Sequence, residues 1–200
     1  MSAVSESIVR EFFELHRFFV RQQRKYVAPS RRDDEEIDFF VINPKFRAGE
    51  AGHPFVLTAE DLPKISRALV VVKGWHTEIF SLAVLANAPE IFRFVEPSVF
   101  EHASRTFEGE GPLTKILIVP ALPAGEEARE QSIALLRAKG VDAVIPFRAM
   151  LADLIAHTES NRNYQKSDIL QIIRILKNYE FFKEAQLELF KSPRRKRKKE

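Results

Sequence analysis

The sequence contains no cysteine, one tryptophan, two methionines and only seven glycines in 200 residues. Without cysteine there is no disulfide framework, no thiolate metal site and no cysteine nucleophile. The glycines form neither G-x-G-x-x-G nor a P-loop, which removes the usual phosphate cradles of nucleotide-binding folds. The histidines show no H-x-x-x-H pair, so no histidine zinc site is suggested. His76-Thr77-Glu78 matches the H-x-E of zinc deaminases, but that site needs a cysteine pair that is absent. No serine stands in a nucleophile elbow, and His157 reads as a surface or cap residue. No apolar run reaches the roughly 18 residues of a membrane span, and the N-terminus has no signal-peptide apolar core. These absences point to a cytoplasmic protein with no membrane partner.

What is present is a core. The chain is 45% hydrophobic, with seventeen phenylalanines against three tyrosines, enough for one well-buried α/β domain. The net charge of +3 is unevenly spread: residues 191–200, KSPRRKRKKE, contribute +6 and the rest −3. The reading is therefore one domain over residues 1–190 and a basic tail, residues 191–200, too charged to fold by itself. In that tail Arg194, Arg195, Lys196 and Arg197 would contact phosphates without regard to sequence, or serve as a solubilising end.

Apolar residues at Ile8, Phe12, Leu15 and Phe19 predict an amphipathic helix over residues 5–26. Strands are expected at residues 37–42, where Asp38 interrupts the apolar run IDFFVI, at residues 55–58 and at residues 68–72. A lone carboxylate inside a strand is costly unless a lysine or metal ion offsets it. Lys73 ends the run ALVVV, Gly74 frees the turn, and Thr77 with Glu78 reads as the start of a helix to about Ala88. Further helices are expected at residues 98–107, 126–139 (capped by Gly140), 148–158 and 166–190, with strands at residues 115–122 and 141–147. The order is helix, three strands, helix, strand, helix, strand, helices. It implies a mixed sheet with antiparallel pairs first and parallel crossovers later.

Asp38 on an early strand and Lys73 on a later one, in the order helix, EEIDFFVINP, FVLT, ALVVVKGWH, resembles the PD-(D/E)xK restriction-endonuclease-like superfamily of nucleases. Members place an aspartate on the second core strand and an acid-x-lysine on the third, which bind a divalent metal for phosphodiester hydrolysis. The resemblance spans roughly residues 9–179. It implies a three-layer α/β/α fold around a mixed sheet of about five strands. It also implies magnesium or manganese as cofactor and nucleic acid, DNA in the first instance, as partner; a homodimer is compatible with it. Carried over, Asp38 is the principal metal ligand, the Val72 carbonyl another, and Lys73 orients or activates the attacking water. The motif departs at Val71, where an acid is expected. Glu78 in the following turn supplies the missing carboxylate on one account, with Glu11 or Glu14 of the first helix as alternatives. On another, Glu78 only stabilises a helix start, Asp38 and Lys73 form a salt bridge, and the fold persists as an inactive binding module.

A second set of polar residues precedes and lines the last helix. Arg162, Asn163, Tyr164 and Lys166, with Arg174 on the helix, carry donors and an aromatic ring suited to phosphate and base contacts. A solvated loop and helix face is the competing reading.

Overall fold

The computed structural model describes residues 3–23, 37–47, 52–107, 109 and 111–182. The basic tail and the acidic run at residues 33–36 lie outside these. The chain divides into two compact units, Met1–Leu154 and Ile155–Glu200.

In the first unit a five-stranded sheet runs in the order β1-β2-β3-β4-β5, formed by Phe19–Gln22, Phe39–Ile42, Arg67–Val72, Leu113–Val119 and Ala143–Pro146. The pairs β1–β2 and β2–β3 are antiparallel, and β3–β4 and β4–β5 are parallel. Helix α1 (Ala3–Leu15) precedes β1. Helices α2 (Leu82–Asn87) and α3 (Pro97–Thr106), with the 3-10 helix Pro89–Val95 between them, connect β3 to β4. Helix α4 (Glu126–Ala138) connects β4 to β5, and α5 (Phe147–His157) follows β5. The mixed α/β class agrees with the sequence reading; the three strands before the connecting helices do not match those expected, since β1 takes the place of the strand expected at residues 55–58.

Strand alternation divides the core. Phe40, Leu69, Val71, Leu117 and Val144 are buried with Ile91, Phe94, Val99, Ala103 and Leu136 of the connecting helices. The alternate residues Phe39, Val41, Val70, Val72, Ile116 and Ile118 are also buried, as are Val9, Phe12 and Phe13 of α1, which packs on β1 and β3.

In the first unit three expectations are corrected. The first helix stops at Leu15 rather than residue 26, because Arg17 adopts a left-handed φ of 65°. The Arg17 amide donates to Glu14 O at 2.9 Å and the Phe18 amide to Phe13 O at 3.0 Å. The Phe13 and Phe18 rings meet edge-on at 5.4 Å. This is a complete Schellman stop, with its apolar clasp. The residues beyond it become β1, so β2 is the second strand of the sheet.

The expected strand at residues 55–58 is reduced to an isolated bridge, Val56 to Val144, because Thr58 turns the chain into the 3-10 helix Ala59–Lys64. Asp61 fastens that turn: its Oδ2 accepts from the Thr58 amide at 3.1 Å and hydroxyl at 3.0 Å, and its Oδ1 accepts from Lys64 at 3.1 Å. Burial pushes the Asp61 carboxyl upward, but hydrogen bonds from Thr58 and Lys64 outweigh it and hold the group below its ordinary value. Asp61→Ala is expected to cost about 1 kcal/mol at neutral pH. Since the folded pKa is depressed, this contribution is full above the unfolded carboxylate pKa and fades as pH falls through the folded one. Urea titrations of wild type and variant at pH 7 and about pH 3 check it; a difference that survives acidification would contradict it.

The third correction concerns residues 77–88. His76 and Thr77 form a turn closed by the Glu78 amide, which donates to Trp75 O, and α2 begins only at Leu82, where the Ser81 hydroxyl accepts from the Val84 amide. The cause is Phe80, whose fully buried ring and amide, donating to Ala121 O at 2.9 Å, hold the segment extended against the end of β4.

In the second unit α6 spans Asp168–Asn178, capped by Ser167 as expected but far shorter than residues 166–190. It closes as α1 does: Glu180 has φ 65°, its amide donates to Lys177 O at 3.0 Å, and the Phe181 amide donates to Leu176 O at 3.0 Å.

Candidate functional site

The carboxyl end of β3 is where α1, β1, β2 and β4 meet. The Val72 amide points toward β2, and the Asp38 side chain takes the place a backbone carbonyl would fill: Oδ2 accepts from it at 2.7 Å. The Asp38 amide donates to Val70 O at 3.1 Å, and its carbonyl accepts from the Gln23 amide at 2.8 Å. Asp38 is thus a rung that carries the sheet one step past its last backbone pair, at 4% exposure. That accounts for a carboxylate inside an apolar run, since a buried anion is tolerated when backbone donors satisfy it.

Lys73 follows immediately. Its amide still pairs with Ile118 O at 3.0 Å, and its side chain is half-buried. Gly74 comes next because α1 begins against it: a Cβ there would fall 2.7 Å from Ser5 Oγ. Ser5 is fully buried, and its Oγ lies 3.0 Å from His76 Nε2. The His76 ring stands edge-on to Phe147 at 4.5 Å. Trp75 is 37% exposed and meets Phe80 edge-on, while Ile79 is 55% exposed. The lysine at the strand end is therefore followed by an exposed aromatic and an exposed aliphatic side chain.

Of the residues singled out in the sequence, Asp38, Val72 and Lys73 are brought together. Val71 is 2% exposed and belongs to the core. Glu78 is exposed in its turn, its amide donating to Trp75 O at 2.8 Å. Glu11 is buried beside Arg10, at 3.6 Å. Burial raises the Glu14 carboxyl, against the pull of Arg10, and the Glu11 charge adds to the rise. At about 1.5 Å per residue, Glu11 and Glu14 lie roughly 9 and 13.5 Å along the helix from Ser5. Glu6 is better placed: its Oε2 accepts from Gln22 Nε2 at 2.6 Å, and Gln22 pairs with Phe39, next to Asp38.

Magnesium is held by open carboxylate oxygens completed by water and substrate phosphate. Asp38 is nearly fully buried against the Val72 amide, the Val71 side chain offers no oxygen, and among the described residues no group of three His, Cys, Asp or Glu side chains could hold a metal ion.

In the second unit Arg162 lies over the Tyr164 ring at 5.8 Å. The Tyr164 hydroxyl accepts from the Glu159 amide at 2.9 Å. Asn163 and Lys166 are exposed. Arg174 Nε donates to Ser160 O at 3.1 Å and Lys177 Nζ to Thr158 O at 2.7 Å, so both fasten the loop to α6. Of the residues singled out in that loop, Arg162, Asn163 and Lys166 face solvent. Arg194, Arg195, Lys196 and Arg197 lie outside the described residues.

Sequence reasoning missed Glu6, Ser5 and Trp75. Trp75 carried a signal, being the only tryptophan and standing two residues after Lys73. Glu6 and Ser5 carried none, because their relevance depends on where α1 starts against the sheet. No protein-family model, curated protein or solved structure matches the chain.

Proposed function

We propose that this is a nucleic-acid-binding protein with a restriction-endonuclease-like framework, taking DNA at the carboxyl end of β3. The observation that carries the reading is the Asp38 carboxylate, placed just before the second strand and joined at 2.7 Å to the third strand one residue from Lys73. The superfamily it resembles places an aspartate on the second core strand and a lysine on the third, and the α-β-β-β order that precedes Lys73 here is compatible with that pattern. Lys73 supplies a cation for a backbone phosphate, and Trp75 an exposed ring on which a base can stack. Such a pairing of charge and stacking is how single strands are held without sequence preference.

Metal-dependent hydrolysis is the second reading, favoured by Glu6 of α1, whose carboxylate accepts from Gln22, the β1 residue that pairs with Phe39 next to Asp38. The test is incubation of purified protein with single-stranded, duplex and branched DNA, with manganese and with chelator. Binding without cleavage is expected in both conditions. Manganese-dependent cleavage abolished by Lys73→Ala would instead establish the hydrolase. Absence of binding to every substrate at moderate salt would overturn the nucleic-acid reading and leave a protein-interaction scaffold. Cleavage gained by Val71→Glu from none would identify the missing acid as the lesion.

A further inference from the structure

A cleft of about 320 Å³ opens at the carboxyl ends of β4 and β5, away from the residues assigned above. Its walls include Val56, Pro120, Pro123 and Pro146, and its charged lining residues are Arg129 and Arg148. No carboxylate lines it. Pro120 and Pro123 are buried and fix the backbone after β4, so one wall is rigid before any ligand arrives. Arg129 donates through one guanidinium nitrogen to Ala124 O at 3.0 Å, which leaves its other donors available. Arg148 is exposed and has no hydrogen bond or ion pair with any described residue.

Ligands of open α/β sheets gather beyond the carboxyl ends of parallel strands, and a volume near 300 Å³ is the lower end of small-molecule sites. An apolar, proline-walled cleft with only cationic polar groups selects a flat apolar body that carries an anion. We propose that this cleft binds a nucleotide, its base against the prolines and its phosphate drawn by Arg148 and Arg129. The phosphate-bearing aromatic chemistry follows from the cleft; the choice of a nucleotide rests on the nucleic-acid reading above. The nucleotide is either free or the 5′-phosphorylated end of a strand.

The experiment is isothermal titration in chelator with adenosine 5′-monophosphate, adenosine and inorganic phosphate. Saturable binding of the monophosphate is expected, with adenosine and phosphate each weaker by about tenfold or more. Arg148→Gln should weaken the monophosphate by about tenfold with an unchanged melting temperature. Lys73→Ala should leave it unaltered, which separates this cleft from the β3 site. Tighter binding of a short 5′-phosphorylated oligonucleotide than of the monophosphate supports the strand end as the source; equal binding supports the free nucleotide. No saturable signal up to about 10 mM, or equal affinity in wild type and Arg148→Gln, overturns the proposal.

Discussion

Asp38→Ala should lower the unfolding free energy by about 2–3 kcal/mol, with or without divalent metal. The substitution leaves the Val72 amide, which is fully buried, without its acceptor, and an orphaned buried donor costs more than an average hydrogen bond contributes. Release of a desolvated carboxylate works the other way, but the backbone donor it satisfies cannot be removed with it. Asp38→Asn keeps a side-chain oxygen at the same reach and should cost under about 1 kcal/mol. Urea unfolding of both variants distinguishes the roles. If Asn is as damaging as Ala, the charge rather than the acceptor is what the site needs, and the account of Asp38 as a rung of the sheet is wrong.

Phe80→Ala should cost more, about 3–5 kcal/mol, the range for deleting a large core aromatic. Phe80 is fully buried, touches Trp75 and is tied by its amide to Ala121 beyond β4. Its ring is what converts the expected helix start at Thr77 into a turn held against the sheet. Since Trp75 is the only tryptophan, its fluorescence reports on this segment directly. The variant should show a red-shifted emission together with the loss of stability. A loss below about 1 kcal/mol would mean that the ring is not the anchor.

Much of the architecture was legible in the sequence, and the exceptions share a cause. The runs ALVVV and KILIV announced the central strands because both faces of each are covered, and Gly140 announced the end of α4. The stop at Arg17 and that at Glu180 were not legible, because a non-glycine residue in the left-handed region costs roughly 1–2 kcal/mol and is set by its surroundings. At Arg17 the hydrogen bonds and the Phe13–Phe18 clasp that offset this cost exist only once the chain has turned. Helical spacing at Ile8, Phe12, Leu15 and Phe19 ran straight through that turn and hid β1. In the site, Asp38 and Lys73 were readable because a charge within or ending an apolar run is conspicuous. Glu6 became relevant only through its bond to Gln22 on the strand hidden by the first error.

The Asp38–Lys73 end of β3 is the centre of the account, and the most direct measurement is fluorescence anisotropy of labelled single-stranded and duplex DNA in chelator. Wild type should bind, with affinity falling as salt rises. Lys73→Ala combined with Trp75→Ala should weaken binding by about tenfold or more while the protein still unfolds in one cooperative transition. Equal binding by wild type and the double variant, or no binding by wild type at low salt, would contradict the assignment of this end of the sheet to nucleic acid.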